Sequence, residues 1–140
     1  MKLELIECPD QDLQKTILEG VRHFNRALIR PVIAGQDLAI AVRDEDGRAV
    51  GGLLGRTAAG WLAIDLIFVP EDMRGKGLAT KLLRMAEAEA ERRGCHSAWL
   101  DTLIADALRL YTKLGYVCFG ELPDYPAGFT RTFLQKRIAP

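Results

Sequence analysis

The feature that constrains this chain most is a change of hydrophobic period near its middle. Residues 61–69 are almost continuously apolar. After Pro70 comes a short loop with Arg74, Gly75, Lys76 and Gly77, and then a helical pattern to about residue 93. Leu78, Leu82 and Ala86 line one side of that helix, with Ala79, Leu83 and Ala90 beside them. Such a stripe is the mark of a helix lying on a core. Gly94 is placed to end it in a left-handed conformation. Residues 97–101 read as another strand. A strand, a helix and a second strand in this order give a parallel pair joined by a right-handed crossover.

The flanking segments fit a mixed sheet. Residues 2–8 alternate as a short strand. Pro9-Asp10 opens a helix with Leu13, Ile17, Leu18 and Val21 at helical spacing, and residues 24–30 continue as a second helical or irregular piece stopped by Pro31. Residues 38–42 and 49–57 form a hairpin around Asp44-Glu45-Asp46-Gly47. Residues 61–69, after the Ala59-Gly60 turn, complete an antiparallel meander and should be buried on both faces. Residues 105–114 read as a helix with Tyr111 inward, and 116–120 and 129–135 as two last strands. The fold class is α+β, a mixed sheet with helices on its faces.

Composition excludes several classes. The 140 residues fit one domain and carry a formal net charge of zero, so no global field attracts nucleic acid or an anionic membrane. No apolar run is long enough for a membrane span, and residues 1–9 lack the build of a signal peptide. Cys8, Cys95 and Cys118 have neither the number nor the spacing of a disulfide framework or zinc site. They suit a reducing cytoplasm, the expected location.

The loop after residue 69 carries the chemistry. Gly75 and Gly77 allow positive φ and a close approach of backbone to ligand. The following helix start offers unpaired amides and the positive end of a dipole, and Arg74 and Lys76 add charge. A pyrophosphate fits such a place. A Walker loop is absent. A dinucleotide fingerprint competes: Gly75-x-Gly77 supplies its first half and Asp101 ends the next strand where a ribose-binding acid would sit. Thr80 occupies the third glycine position, however, and too little chain follows for further βαβ units.

These residues resemble the GNAT superfamily of acetyltransferases. Its phosphate motif reads Q/R-x-x-G-x-G/A, matched in order by Arg74, Gly77 and Ala79. Leu110-Tyr111-Thr112-Lys113-Leu114-Gly115-Tyr116 resembles the family's later tyrosine motif. The resemblance covers nearly the whole chain and implies a single acetyltransferase domain over residues 1–140. It implies a mostly antiparallel, seven-stranded sheet with about four helices, splayed between the fourth and fifth strands. It implies acetyl-CoA as co-substrate and no metal. Backbone of Arg74, Gly75, Lys76, Gly77, Leu78 and Ala79 would hold the pyrophosphate, and Ile67, Phe68 and Val69 would pair with pantetheine like an added strand. One departure is Ile104, where the family often has Asn; Asp106 is a nearby polar residue.

The implied reaction transfers acetyl to a primary amine by direct attack. Tyr111 has the family position for a general acid, and a tyrosine hydroxyl suits protonation of a departing thiolate. Asp65, a carboxylate within an apolar strand, must be paired or face a cavity. It is the first base candidate, or else a carboxylate bonded to backbone or to Arg/Lys. Asp101 is second; His23 and His96 are weaker, His96 being placed to meet helix-end carbonyls. By resemblance, Phe24, Asn25, Arg30, Asp101 and Tyr125 are candidates for the acceptor side. The acceptor would be a small-molecule or peptide amine, and a homodimer is compatible with the class. A non-catalytic acyl-CoA sensor on the same scaffold remains the alternative.

Overall fold

The computed structural model describes residues 1–28 and 35–140. The chain divides into two compact units, Met1–Ile33 and Ala34–Pro140.

The first unit holds one helix, α1 (Gln11–Leu28). Asp10 begins it: its Oδ1 accepts from the Leu13 amide at 2.8 Å, satisfying a donor that the helix leaves orphaned. The expected strand over residues 2–8 does not form; the segment stays exposed and outside any ladder. Alternation alone cannot hold a strand whose backbone groups find no partner. The expected break after Val21 is also absent, because no proline interrupts residues 21–28 and Gly20 is tolerated inside the helix. Pro31 and Arg30 lie outside the described residues.

The second unit runs β1 (Gln36–Arg43), β2 (Ala49–Ala58), β3 (Trp61–Phe68), a 3-10 turn (Glu71–Met73), α2 (Leu78–Arg92), β4 (Ser97–Thr102), α3 (Ala105–Lys113), β5 (Val117–Pro123) and β6 (Thr130–Arg137). One sheet forms in the order β1-β2-β3-β4-β6-β5. All neighbours are antiparallel except β3 and β4. Among the described residues there are thus six strands and three α-helices, not seven and four; the missing strand is the unformed residues 2–8, and the missing helix is absorbed by α1.

Both α2 and α3 pack into one core. Leu82, Leu83, Ala86 and Ala90 of α2 meet Leu38, Leu53, Leu62, Leu100 and Leu134 of the sheet, with Leu108 and Tyr111 of α3 against the same cluster. Arg93 locks the end of α2 to the sheet: its Nη1 donates to Asp37 O at 3.0 Å and to Thr57 Oγ1 at 3.2 Å, and its Nε to Glu89 Oε1 at 2.9 Å. The other sheet face is barer than residues 61–69 suggest. Leu66 and Phe68 are exposed, so β3 is buried on both faces only over Leu62, Ala63 and Ile64. Trp61 and Trp99 sit half-buried around a depression shared with Phe119 and Phe133.

Candidate active site

The site begins where β3 and β4 part. Their parallel ladder holds only three pairs, Trp61–Ser97, Leu62–Ala98 and Ala63–Trp99. Beyond it the β4-facing edge of β3 has no strand partner among the described residues. A bulge lies at the parting: Leu54 pairs with Leu66 and Gly55 with Ile64, so Asp65 is the extra residue.

Past the fork, the 3-10 turn delivers the chain to Arg74, whose Nε donates to Val69 O at 2.9 Å and folds the loop back onto the end of β3. Gly75 and Gly77 have φ of +78° and +74°. A Cβ would meet nothing within 4 Å at either, so backbone conformation is what requires glycine there. Gly77 is the N-cap of α2 and no side chain caps the helix. The first bonded amide is Lys81 N, to Gly77 O at 3.1 Å; the amides of residues 75–80 have no partner among the described residues. Six unpaired donors at a helix start form an anion cradle with the dipole behind it.

The cradle opens into a cleft of about 730 Å³, within the range of small-molecule and cofactor sites. Ile67, Phe68, Val69, Arg74, Gly75, Gly77, Leu78, Ala79 and Tyr111 all line it. Lys76 and Asp65 do not. The cleft also takes in Met73, Thr80, Ala107 and Leu110, which sequence reasoning missed. Thr80 could have been found from the reach of the helix's first turn. Ala107 and Leu110 could have been found as neighbours of Tyr111 on one helical face. Ile104 lines the cleft as well, and Asp106 does so while paired with Arg109.

Tyr111 sits on α3 between this cleft and the core. Its ring meets that of Tyr116 edge-on, with centroids 6.1 Å apart. Burial raises its hydroxyl pKa above the ordinary tyrosine value, and the negative charge of Asp101 adds to the effect. Both causes keep the group protonated, the form a proton donor needs. Asp101 belongs to the opposite flank of the fork, where Arg131 donates to its Oδ1 from Nε at 3.2 Å and from Nη2 at 3.0 Å. Asp65 pairs with Arg56 at 3.5 Å and is 43% exposed in its side chain. Its carboxylate is therefore partnered rather than buried alone.

The remaining candidates are dispersed. Tyr125 stacks under the Arg131 guanidinium, 4.9 Å from ring centroid to Cζ. Phe24 and Asn25 lie on α1 in the first unit, and Arg30 falls outside the described residues. His23 is also on α1. His96 contacts Ser97 Oγ at 2.8 Å through Nδ1 and the edge of Trp61, not the helix-end carbonyls, which accept from the amides of Arg93, Gly94 and Cys95. Gly51 admits neighbouring backbone rather than ligand: a Cβ there would lie 2.6 Å from Phe68 O.

A mixed sheet that forks beside a basic glycine loop, with a tyrosine at the fork, has the arrangement of an acyl-CoA N-acyltransferase. Comparison with known proteins agrees. The profile of the "Acetyltransferase (GNAT) family" matches residues 7–116. An acetyltransferase of Agrobacterium fabrum is 42% identical over 138 residues, covering 99% of this chain and 100% of that one. A blasticidin-S acetyltransferase of Streptomyces morookaense is 36% identical over 118 residues, covering 81% of this chain and 87% of that one. A crystal structure of a candidate acetyltransferase from Agrobacterium tumefaciens superposes with a TM-score of 0.90 at 42% identity, over 98% of this chain and 99% of that one. The chain belongs to the GNAT acetyltransferase family.

Proposed function

We propose that this protein transfers an acetyl group from acetyl-CoA to a primary amine of a small molecule or peptide, by direct attack while both are bound. The observation that carries the reading is the continuity of the anion cradle, the open edge of β3 and Tyr111 in one cleft. The free amides of residues 75–80 suit a pyrophosphate. The unpaired edge at Ile67, Phe68 and Val69 suits the amide groups of pantetheine. Lys76, exposed and outside the cleft lining, adds charge at its rim rather than a contact inside it.

When bound, acetyl-CoA supplies an acyl group already activated as a thioester. In the transfer the amine nitrogen forms a bond to the acetyl carbonyl carbon, the carbon–sulfur bond breaks, nitrogen loses a proton and sulfur gains one. Tyr111 supplies the proton or hydrogen bond to sulfur. The neutral amine is scarce at pH 7, about one molecule in 2,500 for an alkylamine, so a base raises the rate. Asp65, two residues beyond the last β3–β4 rung, takes that role directly or through water, with Asp101 facing it across the fork. Domain organisation follows the family: the profile match spans both units, which supports one acetyltransferase domain.

The test is thiol release from acetyl-CoA across a panel of peptides, polyamines and small amines, with melting shifts for coenzyme A and NAD read alongside. Amine-dependent thiol release and stabilisation by coenzyme A are expected. Stabilisation by NAD alone would assign the cradle to a dinucleotide.

A further inference from the structure

The face of the sheet opposite α2 and α3 carries two ion pairs at the fork. Arg56 lies opposite Ala63 in the β2–β3 ladder, and Phe133 opposite Asp101 in the β4–β6 ladder. Paired residues and residues two apart share a face. Arg56 and Asp65 therefore sit on one flank of the opening, and Asp101 and Arg131 on the other, all on the face away from the helices. The two carboxylates each stand two residues past the last rung, Ala63–Trp99. The negative charge of Asp101 also acts on the Tyr111 hydroxyl.

Resting on the transferase reading, we propose that the acceptor is a zwitterion of the amino-acid class, a primary amine with a carboxylate a few bonds away. Asp65 and Asp101 meet its ammonium, and Arg131, helped by Arg56, takes its anion.

Three features point this way. First, each carboxylate at the fork already has a guanidinium. A polyamine would be met by as many positive charges as negative ones, whereas a zwitterion matches both signs. Second, Arg131 is oriented in advance. Its guanidinium lies over Tyr125 at 4.9 Å and over Phe133 at 5.9 Å from the ring centroids, contacts that hold it without consuming an N–H. Nε and Nη2 converge on the single oxygen Asp101 Oδ1, so Arg131 Nη1 and Asp101 Oδ2 have no partner among the described residues. Those bonds use two of the five guanidinium N–H groups, so donors of Arg131 and the acceptor Asp101 Oδ2 stay open for a ligand within one ion pair. Third, the Arg56–Asp65 pair is long at 3.5 Å and exposed on both sides, so its members exchange readily for the ions of a ligand.

The experiment compares matched acceptors on the full chain with acetyl-CoA. Each set holds an amino acid, its amide and its decarboxylated amine, for methionine, leucine and phenylalanine, with spermidine added. At least one amino acid should exceed its amide and amine in kcat/KM by roughly 10- to 100-fold, the worth of a charge-assisted hydrogen bond. Arg131→Gln should abolish that ratio through KM, and Arg131→Lys, which keeps charge but loses the fork, should retain part of it. The amino acid should further raise the melting temperature of coenzyme A-bound wild type, and its decarboxylated amine should not. A preference for amide, amine or spermidine overturns the proposal. So does a ratio that survives Arg131→Gln in a folded variant, or a normal coenzyme A shift with no amino acid acetylated. Absence of any coenzyme A shift overturns the transferase reading instead.

Discussion

Replacing Gly77 by alanine separates backbone strain from ligand binding, because the structure supplies a matched control. Gly77 has φ +74° and Gly94, at the far end of α2, φ +90°; a Cβ at either meets nothing within 4 Å. Each substitution therefore adds the cost of a left-handed alanine, about 1 kcal/mol, and no clash. For a chain of this size that lowers the melting temperature by about 3–5 °C. The variants differ in what lies beside them. Gly77 lies in the cleft and caps α2 where amides are unpaired, while Gly94 follows the other end of the helix. Coenzyme A at a hundred times its Kd stabilises the wild type by about 2.7 kcal/mol. A tenfold weaker Gly77→Ala, its strained loop turning donors away part of the time, would keep only about 1.4 kcal/mol of that. Gly94→Ala should keep the whole gain. Differential scanning fluorimetry with and without coenzyme A reads both numbers. Equal ligand-induced gains in the two variants would refute the cradle, whatever their apo stabilities.

Other outcomes follow from the same structure. Tyr111→Phe keeps the ring packed on Tyr116 and should lower kcat by about 10²- to 10⁴-fold with an unchanged coenzyme A shift; steady-state thiol release checks it. Glu89 has its pKa lowered from 4.5 to about 2 by hydrogen bonds from Arg92 and then Arg93. Its contribution to stability is thus present above pH 4.5 and lost as pH falls toward 2, and Glu89→Gln should flatten the melting temperature over that window. Leu83, wholly buried in the core, should cost about 2–5 kcal/mol when cut to alanine, measured by urea unfolding, with kcat unchanged per folded molecule.

Most of the second unit was legible in the sequence because local and tertiary signals agree there. The stripe Leu82, Leu83, Ala86 and Ala90 is both a helical period and the buried face. The left-handed Gly94 and Gly115 fall where the helices end. The first unit was less legible. Residues 2–8 have a strand's alternation and no strand's partner, and pairing is a property of two segments, not one. Helix α1 runs on through residues 22–24, where a second piece was expected to start, since no proline lies between Gln11 and Leu28 to break it.

The site divides along the same line. The cradle was legible because glycine φ, helix start and basic residues are local facts of one loop. The fork was visible only as Asp65, a charge in an apolar strand. Its explanation needs the ladders: as the extra residue of a bulge, Asp65 lets β3 bend just where the pairing with β4 stops. The bend frees the edge at Ile67, Phe68 and Val69 for a ligand and turns a carboxylate toward Arg56. Arg131 left no trace at all, because its partners Asp101, Tyr125 and Phe133 converge only after β6 inserts between β4 and β5. Long-range strand order therefore decides which charges reach the acceptor side. In the proposed reading the local motif carries the reaction, and the order of the last three strands in the sheet sets the charges its acceptor meets.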